Sequence, residues 1–437
     1  MSGGLRRELG LVSLLAVVFF NVSGGPYGIE DAVASFGPGL ALLLLMVTPL
    51  VWSLPVSLAM SEMAGALPAE GGYVTWVRRA FGPFWGFQVG WWSWLNSFVD
   101  VAVYPALFAD YLRFWWPGMS APARWALALG FIWSLTGLNV AGVRLTGRSA
   151  VVLGVCALVP VAILTAMAAG RAQHVPWLPA VAEGQGLLEG LGLGLAVMMW
   201  NYSGWDNPST CLGETRAPER TFRRALLGAL PLIALAYVLP VGAALSATSD
   251  WETWETGQLP LIAAAVGGQG LAGLVTLGAL AATGGLFLSS LLTNSRLPFV
   301  LAREGRLPAW IAVVHPRLGT PWAAVVLSSA CYSVFAFWSF KELIVLNMWL
   351  YSLALLLELA AFVALRLREP HLARPWRVGG GRAGMWLTAA LPAAVSLLAM
   401  ATAGWLNTAV GVAAALTGPA AYAWWGRARR SPGRGPL

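Results

Sequence analysis

Long apolar runs, joined by short polar segments rich in arginine, set the pattern of this chain. They fall at about 9–36, 38–66, 84–112, 123–143, 149–169, 187–213, 223–247, 259–298, 321–338, 342–365, 384–403 and 405–425. A helix needs roughly 20 apolar residues to cross the hydrocarbon core of a bilayer. The pattern therefore predicts an all-α membrane protein with twelve transmembrane helices, and the even number puts both termini on one side. Residues 1–425 read as a single transmembrane domain, with 426–437 a basic tail. The first run is too long and too interrupted for a cleaved signal peptide.

Charge gives the orientation. Placing the N-terminus in the cytoplasm puts all 27 Lys and Arg in inner segments except Arg113, Arg124, Arg171 and Lys341. That is the asymmetry expected of cytoplasmic loops, and both termini are then cytoplasmic. Only 11% of the residues are charged and 58% are hydrophobic. A soluble domain carries about a quarter charged residues, so soluble and disordered readings are excluded. The basic residues behind the net charge of +8 sit in short clusters between apolar runs, the footprint of cationic cytoplasmic loops, which argues against nucleic acid as a partner. Cys156, Cys211 and Cys331 form no CxxC pair, and His174, His315 and His371 are scattered through loops. No metal site, disulfide framework or cofactor is expected.

Two of the runs cannot be regular helices. The first contains Asn21-Val-Ser-Gly-Gly-Pro-Tyr-Gly28, and the sixth contains Asn201-Tyr-Ser-Gly-Trp-Asp-Asn-Pro208. Glycine pairs and prolines unwind a helix. In the first, Gly25 and Pro26 are expected to cap and begin a new helix. In the sixth, Asn207 and Pro208 take those places. Unpaired backbone at membrane depth is tolerated where it lines a cavity. The broken spans are the first members of two five-span halves, 9–169 and 187–365, followed by the pair at 384–425. Interrupted helices at corresponding places in two inverted halves mark secondary transporters.

Seven acidic residues lie within the runs, namely Glu30, Asp31, Glu62, Asp100, Asp110, Asp206 and Glu358, with no Lys or Arg near a span centre. A buried acid without a basic partner must be protonated, hydrated or neutralised by a cation. Asp206 stands at the second break, where capping the next half-helix is the plainer reading. Glu30 and Asp31 follow the first break, and being adjacent they point about 100° apart. Asn96, Asp100 and Tyr104 make one polar stripe, which helix–helix hydrogen bonding would also explain. An ion pair with Arg113 is expected for Asp110. Glu62 reads as a gate or an interfacial residue, and for Glu358 substrate, proton and packing roles stay open. Thr283, Ser289, Ser290, Thr293 and Asn294 could complete a cation site with carbonyls freed in the first run. Bonding back to their own helix is the commoner use of such hydroxyls.

Several segments resemble a known family. Pro68-Ala-Glu-Gly-Gly-Tyr73, Trp76, Ala80-Phe-Gly-Pro83, Gly86-Phe87 and Gly90-Trp91 are similar to the loop and third helix of the amino acid–polyamine–organocation superfamily. So are Glu214, Pro218, Arg220 and Ala225 after the sixth run, and Ala302-Arg303, Gly305, Leu307-Pro308, His315-Pro316 and Gly319-Thr-Pro321 after the eighth. Arg374-Pro-Trp-Arg377 matches the segment before the eleventh. Gly24–Val33, Val99-Asp100, Tyr104-Pro105, Asp110-Tyr111, Trp205-Asp206 and Gly213-Glu214 most resemble its polyamine:cation symporter branch. The resemblance implies a leucine-transporter-type 5+5 inverted repeat with broken helices 1 and 6, alternating access and proton coupling. Two departures bear on substrate. Pro26 removes an N–H donor from the turn that relatives use to hold a substrate carboxylate. No lysine occurs in span 5, where some relatives place one.

The expectation is thus a carrier importing a small organic cation, a polyamine, with a coupling proton or sodium, in a cell membrane of bacterial inner-membrane type. Ser23, Gly24, Gly25 and Pro26 with Ser203, Gly204 and Trp205 would line the substrate site through their backbone. Glu30 or Asp31, Asp100 and Asp206 would meet ammonium groups or take protons. Tyr104, Tyr202 and Trp205 would offer aromatic faces. Glu30, Asp100, Asp206, Ser289, Ser290 and Glu358 are the candidates for ion or proton coupling. An amino acid permease of the same fold is the first alternative, and a sensor or subunit that binds without translocating is the second. No nucleophile–base pair or metal spacing points to an enzyme. Oligomeric state is not legible.

Overall fold

The computed structural model describes residues 5–182, 198–337 and 340–428. The first half of the sixth run, up to residue 197, and the end of the tail, 429–437, lie outside the described residues. Every described element of length is helical. In chain order these are α1 (Leu11–Val22), α2 (Glu30–Phe36), α3 (Pro38–Ala66), α4 (Tyr73–Phe81), α5 (Pro83–Asp100), α6 (Val103–Leu112), α7 (Ala121–Ala141) and α8 (Val143–Ala169). A 3-10 helix over Asn207–Glu214 precedes α9 (Pro218–Ala247), α10 (Leu259–Asn294), α11 (Arg296–Arg303), α12 (Trp322–Phe335), α13 (Phe340–Arg368), α14 (Gly381–Thr402) and α15 (Trp405–Ala428). Among the described residues, 6 helical stretches are long and apolar enough to cross a membrane. They carry outward-facing Val152, Val155, Leu239, Leu277 and Leu397, each more than half exposed or nearly so, as a lipid-facing surface requires.

Among the described residues helices occupy the apolar runs, with four local differences. The joint at 67–83 holds α4, whose Tyr73, Trp76 and Val77 are buried while Arg79 reaches solvent. That one-sided pattern is an amphipathic helix too short to read as a run. The third run is two helices, α5 and α6, parted by a turn at Val101–Ala102. Pro105 explains it: proline has no N–H to give the carbonyl four residues back, which is Val101. The first break is longer than expected. Residues 23–29 are all non-helical, and α2 begins only at Glu30 with Ile29 as its cap. Pro26 therefore lies inside the unwound stretch instead of opening a helix, and Gly25 is not a cap. At the sixth run the cap position is Asp206, with no side-chain cap bond, and Asn207 is already in the first turn beside Pro208.

Proline also accounts for a feature of α3. Residues Pro49–Ser53 form a π-turn. Pro49 leaves the Leu45 carbonyl without its helical donor, and the Tyr202 hydroxyl donates to that oxygen at 2.9 Å. One imino acid thus ties α3 to the sixth run.

The core lies where α1 packs against α8, α9 and α10, with α10 running along α8. On the other side α13 packs on α5 and α14. The chain on the two sides of these broken helices meets in a short parallel bridge. Glu8 and Leu9 N–H donate to the Glu214 carbonyl at 2.9 and 3.0 Å, and Arg216 N–H donates to the Leu9 carbonyl at 2.9 Å.

Candidate functional site

The two breaks face each other across a narrow polar cavity of about 50 Å³. Its wall takes Ser23 and Gly24 from the first break, Ser203, Gly204 and Asp206 from the second, and Asp100 and Tyr104 from the third run. Glycine is required at one crossing. Gly204 has φ +96°, and a Cβ there would run into the Asn21 backbone oxygen. The second break touches the last turn of α1 at that point, and only a missing side chain allows it.

Tyr351 of α13 holds the second break open. Its hydroxyl accepts from the Gly204 N–H at 2.9 Å and donates to Asp206 Oδ1 at 2.7 Å. One group satisfies a freed backbone donor and orients the carboxylate. On the other side, Thr293 of α10 donates to Asn21 Oδ1 at 2.8 Å, and Asn21 in turn donates to the Val17 carbonyl at 2.8 Å. The hydroxyl of Tyr104 lies beside Asp100 and Ser290. Rings of Tyr27, Tyr104, Trp200, Tyr237 and Tyr351 reach the cavity, and no Lys, Arg or His is among its described lining residues. Two carboxylates among π-faces favour a positively charged alkylammonium ligand.

The sequence-predicted residues divide. Ser23, Gly24, Asp100, Tyr104, Ser203, Gly204 and Asp206 are brought together. Gly25 and Pro26 shape the break without lining it, and Ser23 Oγ accepts from the Gly25 N–H at 3.0 Å. Glu30 sits away from the cavity, where Oε1 accepts from Tyr111 at 3.1 Å and from the Leu259 N–H at 3.0 Å, at the start of α10. Tyr111 also accepts from the Gly28 N–H at 3.0 Å. Asp31 accepts from Thr256 N–H and Oγ1 at 3.1 and 2.8 Å. Both acids anchor the segment beyond the break to the loop before α10. Tyr202 and Trp205 are fully buried behind the wall, and Trp205 Nε1 donates to the Tyr202 carbonyl at 2.7 Å. Ser289 is buried with no hydrogen-bond partner, and Glu358 lies outside the wall. Thr283 bonds back to the Ala279 and Leu280 carbonyls.

Two acids are not as the sequence suggested. Asp110 pairs with Arg124 at 3.4 Å, across the α6–α7 joint, in place of the expected Arg113. Glu62 does have basic partners. Arg366 and Arg374 lie 3.2 Å from its two oxygens, and the Val378 N–H donates to Oε2 at 2.7 Å, all buried. Beneath the cavity a second buried pair joins Arg296 of α11 to Glu214, at 2.7 and 2.9 Å with both side chains at 0% exposure. The sequence counts Arg296 with the inner cytoplasmic segment at the end of the eighth run and gives no sign of an acidic partner. Tyr27, Trp200, Tyr237 and Tyr351 were missed as lining residues, because an aromatic within an apolar run reads as core.

An all-helical, multi-pass membrane protein with a polar cavity at facing helix breaks is the architecture of a transporter. Comparison agrees: a family model described as amino acid permease matches residues 9–425. The chain is 37% identical over 401 residues to a probable polyamine transporter of Arabidopsis thaliana, covering 91% of this chain and 82% of the relative. It is 36% identical over 380 residues to a polyamine transporter of Oryza sativa subsp. japonica, covering 86% and 71%. A second Arabidopsis polyamine transporter is 34% identical over 415 residues, covering 94% and 84%. This chain belongs to the amino acid permease family, and it is a transporter rather than an enzyme.

Proposed function

We propose that the protein is a secondary-active carrier that imports a polyamine by alternating access, driven by a proton or sodium gradient. The observation that carries this is the cavity itself, in which Asp100 and Asp206 face one space among aromatic rings with no basic residue among its described lining. Asp206 and Asp100 meet ammonium groups. Tyr104, Trp200 and Tyr237 supply π-faces. The unwound backbone at Ser23–Gly24 and Ser203–Gly204 completes the wall. Glu30 and Asp31 act as anchors. The relatives named as polyamine transporters support the substrate class.

The same reading takes the runs as twelve crossings in two inverted five-span halves. Both termini are cytoplasmic, in a cell membrane. The plant relatives give no support to a bacterial membrane in particular.

The family description favours an amino acid permease as the second reading. Local chemistry weighs against it, because a zwitterion needs free donors for its carboxylate. At the first break Pro26 has no N–H, Gly25 gives its own to Ser23, and Gly28 gives its own to Tyr111. At the second, the Gly204 N–H is taken by Tyr351.

Uptake of labelled putrescine and spermidine into proteoliposomes, with and without an inward proton gradient, tests the proposal beside a panel of amino acids. Gradient-stimulated polyamine uptake, abolished in D206N and in D100N, is expected. Amino acid uptake without polyamine flux would overturn the substrate. Putrescine binding without any flux would instead mark a sensor.

A further inference from the structure

Just outside the cavity lies an acid that the proposed binding scheme leaves idle. Glu358 of α13 is 3% exposed, and neither of its carboxyl oxygens has a hydrogen-bond partner. It stands seven residues after Tyr351, on the same helix face and about 10 Å further along the axis. The next charge on α13 toward its C-terminal end, Arg366, is already occupied by Glu62 and the Val378 carbonyl. Arg368 donates to the Ala80 carbonyl at 3.1 Å, so among the described side chains of α13 no basic group is left over for Glu358.

Tyr73 completes the surroundings. The start of α4 is wedged under the second break, where the Tyr73 N–H donates to Ser209 Oγ at 3.3 Å. Gly72 has φ +44°, and a Cβ there would collide with Ser209. This close approach fixes the Tyr73 ring, which is fully buried. Its hydroxyl lies beside Ser93, a residue of the cavity wall, and within electrostatic range of both Glu358 and Asp206. Asp206 also lies within electrostatic range of Glu358. A carboxylate flanked by hydroxyls is an acceptor-rich set without a fixed cation, which suits an ammonium group with its three N–H donors.

We propose that Glu358, with Tyr73 and Ser93, is an inner cation subsite, which binds the second ammonium of a diamine whose first ammonium meets Asp206. Two acids in electrostatic range repel one another when both are charged. A monoamine balances one of them, whereas a dication balances both. The inference rests on the polyamine reading and sharpens it: the carrier selects for two charges on one short alkane.

The test is competition against labelled putrescine bound to purified full-length protein in detergent, comparing unlabelled putrescine with butylamine, its single-charge counterpart. In the parent, putrescine should compete far better than butylamine. One charge-assisted contact is worth about tenfold to a hundredfold in affinity. E358Q should therefore weaken putrescine by that factor while shifting butylamine by no more than about twofold. Y73F should move the ratio the same way by less, and E358D should restore part of it. These two variants carry the test should E358Q fail to fold. An unchanged putrescine-to-butylamine ratio in the Glu358 and Tyr73 variants overturns the subsite, even where proton dependence or flux is lost. A parent protein that binds no putrescine refutes the polyamine reading instead, a result distinct from a parent that binds it with an unchanged ratio in the variants.

Discussion

E214Q removes one charge from the buried pair beneath the cavity while keeping the side chain's shape. Arg296 then loses the ionic character of contacts at 2.7 and 2.9 Å and stays at 0% exposure. Breaking a buried pair from one side costs about 3–5 kcal/mol, because the remaining charge is uncompensated. The guanidinium keeps two other acceptors, the Leu292 carbonyl at 2.9 Å and Ser295 Oγ at 3.0 Å. That places E214Q near the lower end, about 3 kcal/mol. R296M is expected to cost more, since it leaves Glu214 and the neighbouring Glu70 as two acids without their shared counter-charge. The double variant E214Q/R296M should fall short of the summed singles by about 2 kcal/mol, as for residues in direct contact. Denaturant titration of purified protein in mild detergent, followed by tryptophan fluorescence, measures all four corners of the cycle. Strict additivity, or an E214Q within about 0.5 kcal/mol of the parent, would refute the claim that this pair secures the base of the site.

Four further outcomes are expected. Y351F should cost about 3 kcal/mol by the same titration, because it strips a hydrogen bond from a carboxylate and leaves the Gly204 N–H unmet; a loss under about 1 kcal/mol would show that the hydroxyl is not what holds the break. G204A adds about 1–2 kcal/mol of left-handed strain to a collision with the Asn21 carbonyl, so its yield of folded protein by size-exclusion chromatography should collapse, and a parent-like yield would contradict the crossing. Burial beside Glu214 pushes the Glu70 carboxyl above its ordinary value. The folded state then holds a proton that the unfolded chain has released, so stability is full below the ordinary carboxylate range and falls as pH rises through the folded value; E70Q should flatten that decline in Tm, and an unchanged slope would refute it. The Glu369 carboxyl is held below its ordinary value by the Arg79 fork at 2.7 to 3.1 Å. Its stabilisation is present above the ordinary range and lost as pH falls through the lowered value, but the pair is exposed, so E369Q should change stability by under about 1 kcal/mol; a larger loss by the same titration would show the pair is shielded from solvent.

What the sequence conveyed and what it hid follow from the range of each signal. Helix placement is local, and runs of apolar residues located it to within a few positions. The breaks are also local, written in Gly24-Gly-Pro and Ser203-Gly, and they led to five of the residues that meet at the cavity, while the polar stripe of the third run led to Asp100 and Tyr104. Partners are not local. Glu62 looked unpaired because Arg366 stands 304 residues away, in a stretch that reads as loop. The same distance in chain hid Tyr351, which looks like any aromatic in an apolar helix until Gly204 is placed opposite. Glu30 was drawn to the site by its nearness to the first break, yet an acid at the start of a helix also suits that helix's dipole. In the fold the helix it caps is α10, far along the chain. The turn at Val101 was legible in principle, since Pro105 announces it, but the stripe of Asn96, Asp100 and Tyr104 gave a competing reason to draw one straight helix.

The bridge between Leu9 and Thr215 is made by main-chain hydrogen bonds, with one side-chain contact beside it, Arg216 Nε to the Arg7 carbonyl at 3.4 Å. An alanine scan removes that one contact and leaves every main-chain donor and acceptor in place. If the segments before α1 and after the 3-10 helix travel together during the transport cycle, that coupling is therefore silent to ordinary mutagenesis and tolerant of sequence drift. Cutting it takes an edit to the peptide group itself. Proline at Leu9 or Arg216, or an ester in place of the amide, would let the two arms swing apart, and the cost would appear in the cycle's speed rather than in any side-chain contact.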